Sequence, residues 1–407
     1  MRRVLLISNG HGEIAIAERI AATALAGDAG GEPFALDHLP LVGIGRDRPG
    51  FPVVGPRAAL PSGGLVAMGN LRAFAGDVAA GFAGLVLRQL GAVRRARYDG
   101  VVAVGDLYAF GFAALVRSSS GEPAPAIFVG TAKSVSVAPY GPGERRILAR
   151  ACRIFVRDAP TATALRAAGL AAEAPGNVIV DLLDPLPRER GAAESLLVEA
   201  AAPWIAVLPG SRASAYADAL RLLGVLRAAA ASGVRPRAAA AGPLSVVCSI
   251  APGLDARLFA AALRLDGWRV TPGPEPGPFV AAADGIRVVG RRGPLGPLFA
   301  GAAIAFGQAG TANEQAAAAG VPVVALATAG GEGPGGGDGW YRMRQRRLLG
   351  EALALVPTES AAAVAALAAL LADAPRLARM GAAGRERMGG AGGAAAIATA
   401  IRAEFSA

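Results

Sequence analysis

A chain of 407 residues is long enough for two to three domains, and an apolar content of 53% supports large cores and excludes a disordered chain. The net charge of +10 is carried almost wholly by arginine, because Lys133 is the single lysine. Such a balance suits phosphate-bearing small molecules or anionic lipid; with aromatics at 5% and no nucleic-acid motif, no nucleic-acid partner is expected.

The composition drifts toward Ala, Gly, Arg and Pro. Residue types that this drift disfavours are therefore better candidates for specific roles. Asn9, His11, Lys133, Asn177 and Asn313 all fall in glycine-marked turns or at strand ends. Cys152 and Cys248 lie far apart in apolar settings, as buried thiols in a reducing, cytoplasmic compartment would. No Cys/His cluster has metal-ligand spacing, so neither a metal nor a cofactor is expected. The basic start Met1-Arg-Arg leads into an apolar run too short for a signal peptide. No run reaches the ~20 apolar residues of a membrane span.

In chain order, residues 4–7 read as a buried strand, 8–13 as a turn and 14–26 as an amphipathic helix. The polar turn lies at the strand's carboxyl end, where open parallel sheets bind ligands. Residues 35–41 offer a second strand, and 43–64 a long Gly-, Pro- and Arg-rich loop. Residues 65–97 read as one or two helices closed by Arg94, Arg95 and Arg97. Core helices with a solvated basic end fit this stretch; so does a surface that meets acyl chains and anionic headgroups. Strands at 100–105, 125–129 and 154–156 end in Asp106, in Gly130-Thr-Ala-Lys133 and in Arg157-Asp158. Gly176-Asn-Val-Ile-Val-Asp181 then leads to a linker at 184–191.

The pattern restarts with a strand at 204–208, the turn Pro209-Gly-Ser-Arg212 and a helix at 216–231. A strand at 237–241, a helix at 255–265, a strand at 286–289 and a basic glycine loop at 290–297 follow. The apolar run 302–306 then opens into Gly307-Gln-Ala-Gly-Thr-Ala-Asn-Glu-Gln315. A strand at 321–326, a glycine-rich loop at 329–339, an arginine-rich helix at 340–349 and terminal helices at 360–372 and 375–387 complete the chain. Strands alternating with helices predict an α/β fold of two doubly wound, Rossmann-like parallel-sheet domains. The expected domains are residues 1–185 and 192–375, with helices in 376–407 returning to the first. A ligand cleft is expected between the facing strand ends.

A helix that opens straight from the turn at Gly310 presents free N–H groups and a positive dipole end to a phosphate. Glu314, one turn in, is placed for ribose hydroxyls. An ordinary β–α connection with a solvated Glu314 fits the same residues. Arg212 can pair with a phosphate bidentately, and main-chain groups near Val289, Gly290 and Arg291 can bracket a base. The turns of the first half carry candidate acids and bases: His11, Glu13, Asp106 and Asp181. Asp106 reads equally as a helix N-cap, His11 as a turn hydrogen-bonder and Lys133 as a structural cation.

The ordered set Ser8-Asn-Gly-His-Gly-Glu13, Val104-Gly-Asp106, Ala138-Pro-Tyr-Gly-Pro142 with Glu144-Arg145, Phe155-Val-Arg-Asp158, Gly176-Asn177 through Asp181, Leu208-Pro-Gly-Ser-Arg212, Gly310-Thr-Ala-Asn-Glu314 and Gln345-Arg-Arg-Leu-Leu-Gly350 resembles a known family. It is similar to lipid-A-disaccharide synthase and its related proteins, GT-B glycosyltransferases of the family 19 type. Ile14 stands where the related branch carries an acid after Gly-Glu, and Val178 where it carries proline after Gly-Asn. The resemblance implies inverting, metal-independent transfer from a UDP-sugar to a glycolipid-like acceptor at the inner face of the cytoplasmic membrane. On it, Asp106 is the catalytic base, with His11 second. Ser211, Arg212, Gly290, Arg291, Gly310, Thr311, Asn313, Glu314 and Gln345 hold the donor. Asn9, Gly10, Glu13, Lys133, Asn177 and Asp181 hold the acceptor. Residues 65–97 touch the anionic membrane. UDP-sugar 2-epimerases share this architecture, and a non-catalytic lipid-binding scaffold is a third reading.

Overall fold

The computed structural model describes residues 2–26, 34–60, 71–185, 202–237, 239, 242–273, 278–327 and 337–405. They form two units, Met1–Asp181 with Gly389–Ala407, and Leu182–Met388. The expected linker beyond residue 185, residues 65–70 and the glycine-rich stretch 328–336 lie outside the described residues.

The first unit is built on β1 (Arg2–Asn9), β2 (Phe34–Val42), β3 (Gly100–Gly105), β4 (Ala126–Gly130), β5 (Arg153–Val156) and β6 (Ala172–Glu173). All pair in parallel in the order β2-β1-β3-β4-β5-β6. Runs such as Val4–Ile7 and Val101–Val104 are buried on both faces, so they are continuously apolar rather than alternating. The strand order reverses between β1 and β3, the kind of point at which open parallel sheets bind ligands. The stretch after β2 is no free loop. Its backbone returns to pair His38 with Val53 and Gly43 with Ala58, anchored by buried Phe51 and Leu60.

The second unit carries β7 (Trp204–Leu208), β8 (Leu244–Ser249), β9 (Arg269–Pro272), β10 (Phe279–Ala283), β11 (Ile286–Arg291), β12 (Ala302–Gly307), β13 (Val323–Leu326) and β14 (Leu353–Val356). Their order is β14-β13-β12-β7-β8-β11-β10-β9, with its switch point between β7 and β12. Of the strand expected at 237–241, residues 238, 240 and 241 lie outside the described residues. The strand beside β7 is β8, which offers β-branched Val246 and Val247 to the pleated face. The antiparallel pair β9–β10 was not anticipated. Its companion turn into β11 uses Asp284 and Gly285, both at positive φ, the pairing that favours a tight hairpin.

The chain crosses back to the first unit after Met388. Helix Gly393–Phe405 packs on helix His11–Ala26. Asp181 accepts hydrogen bonds from the N–H groups of Gly392 and Ala394, each at 2.7 Å, and so caps this last helix. Asn177 works in the same place: its N–H donates to the Gly390 carbonyl, and its Oδ1 accepts from Ile179. At the far end the Arg402 guanidinium donates to the Ala24 carbonyl, and the Phe405 ring covers Gly100.

His38 of β2 is 0% exposed, stacks on Phe51 at 4.9 Å and has Nε2 2.8 Å from the Ser8 hydroxyl. Burial pushes its imidazole down to about 4 from 6.5. The fold therefore holds the neutral ring. Its stabilisation is complete above pH 6.5 and is lost as the pH falls toward 4. Acidification from pH 7 to pH 5 is expected to remove about 2 kcal/mol through this group. Urea unfolding of the wild type and His38→Gln at both pH values measures it; equal acid slopes would show that His38 is not responsible.

Candidate functional site

The first cluster sits at the β1/β3 switch point. Gly10 has φ 104°, which lets the chain turn from β1 directly into helix His11–Ala26. Gly105 has φ 128° and does the same from β3. A Cβ on Gly105 would stand 3.1 Å from Glu13 Cγ, so glycine also lets Glu13 lean across the strand end. Thr131 Oγ1 donates to Glu13 Oε1 at 3.5 Å. Asn9 Nδ2 donates to Asp106 Oδ2 at 3.1 Å. His11 lies on the other flank, its ring beside Gly43.

Asp106 is a helix cap with a raised carboxyl. Its Oδ1 accepts from the N–H groups of Tyr108 and Ala109, at 3.1 and 3.2 Å, opening helix Leu107–Ala113. Burial pushes its carboxyl above the usual aspartate range, against the pull of the Ala109, Asn9 and Tyr108 hydrogen bonds. A raised carboxylate whose Oδ2 meets a side-chain amide suits proton uptake.

Lys133 stands in the same region but is already paired. Its Nζ is 2.6 Å from both Glu144 oxygens and 5.4 Å from the Tyr140 ring centre. Glu144 in turn accepts from the Gly141 N–H. This pair fits the reading of Lys133 as a structural cation. Asn177 and Asp181, also expected to hold the acceptor, both tie down the C-terminal return.

The second cluster sits at the β7/β12 switch point. Gly210 has φ 115°, and a Cβ there would lie 3.9 Å from Ala309 Cα, so the turn carrying Ser211 and Arg212 abuts the turn after β12. The Leu208 carbonyl accepts from the N–H groups of Gln308 and Ala309, at 3.0 and 3.2 Å. Helix Thr311–Ala318 starts at Gly310 with no side-chain cap. Its first amides therefore lack a side-chain cap, as the helix start of an anion site would. Small residues fix this helix closely: a Cβ on Gly384 of helix Ala374–Met388 would come within 2.5 Å of the Ala317 carbonyl oxygen. The alanine run of the sequence is the matching face.

Gln345 is 0% exposed. Its Nε2 donates to the Ala309 carbonyl at 2.6 Å, and its Oε1 accepts from Arg342 at 2.7 Å and from Asn313 at 3.4 Å. Asn313, also 0% exposed, donates to the Gly307 carbonyl at 3.2 Å. Both amides brace the turn after β12. Gly290 is likewise structural, because a Cβ would lie 2.5 Å from the Phe279 ring. Arg291 ends β11 as a buried residue, and Arg292 donates to the carbonyls of Pro252 and Leu254.

Arg342 donates to Gln308 as well as to Gln345, and Arg344 Nη1 lies 3.8 Å from Glu314 Oε1. Glu314 is thus a buried carboxylate with a cation beside it. These two arginines were missed by the sequence reading. Arg342 stands three residues before Gln345, the helical spacing that puts both on one face, and that is the signal the sequence carried for it.

No protein-family model and no curated protein matches the chain. Solved structures do match along its length. A UDP-N-acetylglucosamine 2-epimerase from Neisseria meningitidis bound to UDP-N-acetylglucosamine is 13% identical, with TM-score 0.54 and 98% of each chain covered. UGT89C1 of Arabidopsis thaliana complexed with UDP is 12% identical, with TM-score 0.55 and 100% of each chain covered. The S. aureus protein MnaA with UDP is 12% identical, with TM-score 0.55, covering 99% of this chain and 96% of that one. At these identities the likeness establishes the fold, and the chain has the GT-B architecture of two parallel-sheet α/β domains.

Proposed function

We propose that the chain is an inverting, metal-independent glycosyltransferase that uses a UDP-sugar donor and a glycolipid-like acceptor. One observation carries the reading: an uncapped helix start at Gly310–Thr311 adjoins the Ser211–Arg212 turn at the β7/β12 switch point, with Glu314 one turn in. Proteins of the same fold have been seen with UDP or UDP-N-acetylglucosamine, which supports a nucleoside diphosphate as the ligand of that turn. The Thr311 amides and Arg212 would offset the charge on the departing diphosphate. Glu314, freed from Arg344, would take the ribose hydroxyls. Asp106 would accept the proton of the acceptor hydroxyl as its oxygen attacks the anomeric carbon. A UDP-N-acetylglucosamine-like donor, plain or acylated, is the starting point for assays.

The membrane partner belongs to the same proposal. Phe74 and Val78 on helix Leu71–Ala79 and Leu87 on helix Phe82–Arg95 are exposed at 43%, 44% and 70%. Arg88, Arg94 and Arg95 lie on the second of these helices. Exposed apolar side chains with arginines nearby fit an anionic bilayer surface, which would place the protein at the inner face of the cytoplasmic membrane.

A 2-epimerase is the second reading, favoured by the similarity over 98% of the chain to the Neisseria enzyme. Such epimerases typically show Ser-Gly-Gly at the donor helix, where this chain has Ala309-Gly310-Thr311. Incubation with UDP-N-acetylglucosamine separates the two. A transferase releases UDP in step with acceptor, whereas an epimerase converts the sugar nucleotide with none present. A non-catalytic scaffold would sediment with liposomes and show no UDP affinity.

A further inference from the structure

The two oxygens of Asp106 are held differently. Oδ1 faces two backbone N–H groups, which can only donate; Oδ2 faces only the Asn9 side-chain amide among its resolved hydrogen bonds. Oδ2 is therefore the oxygen that can take a proton. The Asn9 side of the pair holds a peculiarity. Its Oδ1 is buried and has no hydrogen-bond partner, in a residue that is 7% exposed. Leaving such a carbonyl unpaired costs about 1–3 kcal/mol.

We propose that Asn9 is a positioning residue that serves Asp106 in both of its protonation states. With Asp106 ionised, the Asn9 N–H donates to Oδ2. When Oδ2 takes a proton, the amide turns about its last side-chain torsion, and the oxygen now unpaired accepts the new O–H. That torsion is broad and two-fold, so the turn needs no backbone movement. A backbone N–H in the same place would oppose proton uptake, whereas an amide keeps one bond to Oδ2 in either state. Burial of Asp106, which favours its neutral form, works in the same direction.

In turnover the acceptor O–H bond breaks and its proton passes to Oδ2. The oxygen's electron pair forms the bond to the anomeric carbon. The bond from that carbon to the diphosphate breaks, and its electrons leave with the diphosphate. The titratable groups around Asp106 are Glu13 on helix His11–Ala26, Tyr108 on its own helix and Tyr140 ahead of helix Pro142–Leu148. Burial pushes Tyr108 up to about 12, and Tyr140 is raised by burial, Glu144 and Asp106. Both phenols therefore stay protonated while Asp106 titrates.

The part of this inference that concerns turnover rests on Asp106 being the base; the coupling itself is a property of the free protein. With four asparagines in the chain, selective 15N-asparagine labelling gives few side-chain amide signals, and 13C-carboxyl labelling of aspartate reports Asp106. Both are titrated in the full chain. The Asn9 amide signals are expected to move with the same midpoint as the Asp106 carboxyl. In Asn9→Leu both states lose a bond and the ionised state loses the stronger, charge-assisted one, so the midpoint is expected to rise by less than about one pH unit, with the acid limb of kcat/KM moving equally and kcat falling more than KM. An Asp106 titration that leaves the Asn9 amide unmoved overturns the proposal, as does a rise well above about one unit in Asn9→Leu, which a bond to the ionised form alone would give. Coupling seen by labelling in a protein without transferase activity upholds the Asn9 role and removes the base reading alone. Where Asn9→Leu does not fold, the wild-type titration decides.

Discussion

Phe405→Ala is expected to destabilise the first unit by about 3–5 kcal/mol, the usual cost of emptying a buried phenylalanine site. The ring is 1% exposed. Gly100 has no side chain because there is no room for one: a Cβ would stand 2.4 Å from the ring. Ile397 and Ile401 bury the same helix face against the unit, and Asp181 caps its start. Such a loss is a large part of the 5–15 kcal/mol that stabilises a typical domain, so Phe405→Ala should unfold at markedly lower urea than wild type. Phe405→Leu, which refills most of the volume, should lose much less. A change below about 1 kcal/mol in the alanine variant would mean that the C-terminal return is ornamental to the fold.

Asp106→Asn is expected to lower kcat by about 10²–10⁴-fold, the range of general acid–base contributions, with little change in stability or UDP affinity. The asparagine oxygen can still accept from the Tyr108 and Ala109 amides, so the helix stays capped, yet no oxygen remains that can take a proton. Asp106→Ala separates the two roles, adding the loss of a cap, about 1 kcal/mol, to the loss of turnover. Wild-type kcat in Asp106→Asn, measured with acceptor present, would leave Asp106 as a cap and move attention to His11.

Much of the architecture was legible in the sequence because buried parallel strands are continuous apolar runs, and those of β1, β3 and β7 stand out. The glycine turns were legible for the same reason: Gly10, Gly105 and Gly210 all take positive φ and punctuate strand ends. The hairpin β9–β10 was not, since its strands are short and half-exposed. The site was legible by residue type but not by direction. Gln345 and Asn313 are uncommon polar residues beside a glycine turn, which describes a ligand contact and a buried brace equally well. Only the packing of helix Gly337–Leu349 on the turn separates the two. Lys133 was singled out for being unique, yet its partner Glu144 lies eleven residues on, in a separate helix, a pairing that spacing alone does not reveal. Asp106 combined both readings, being cap through one oxygen and open to a proton through the other.

A nucleoside diphosphate at the β7/β12 switch point would be detected by calorimetric titration of UDP into the wild type, Arg212→Ala and Glu314→Ala. The wild type is expected to bind, and each variant to bind about ten- to a hundredfold more weakly, the worth of one charge-assisted hydrogen bond. UDP binding that is undiminished in both variants, or absent from the wild type, would remove the nucleotide from this turn.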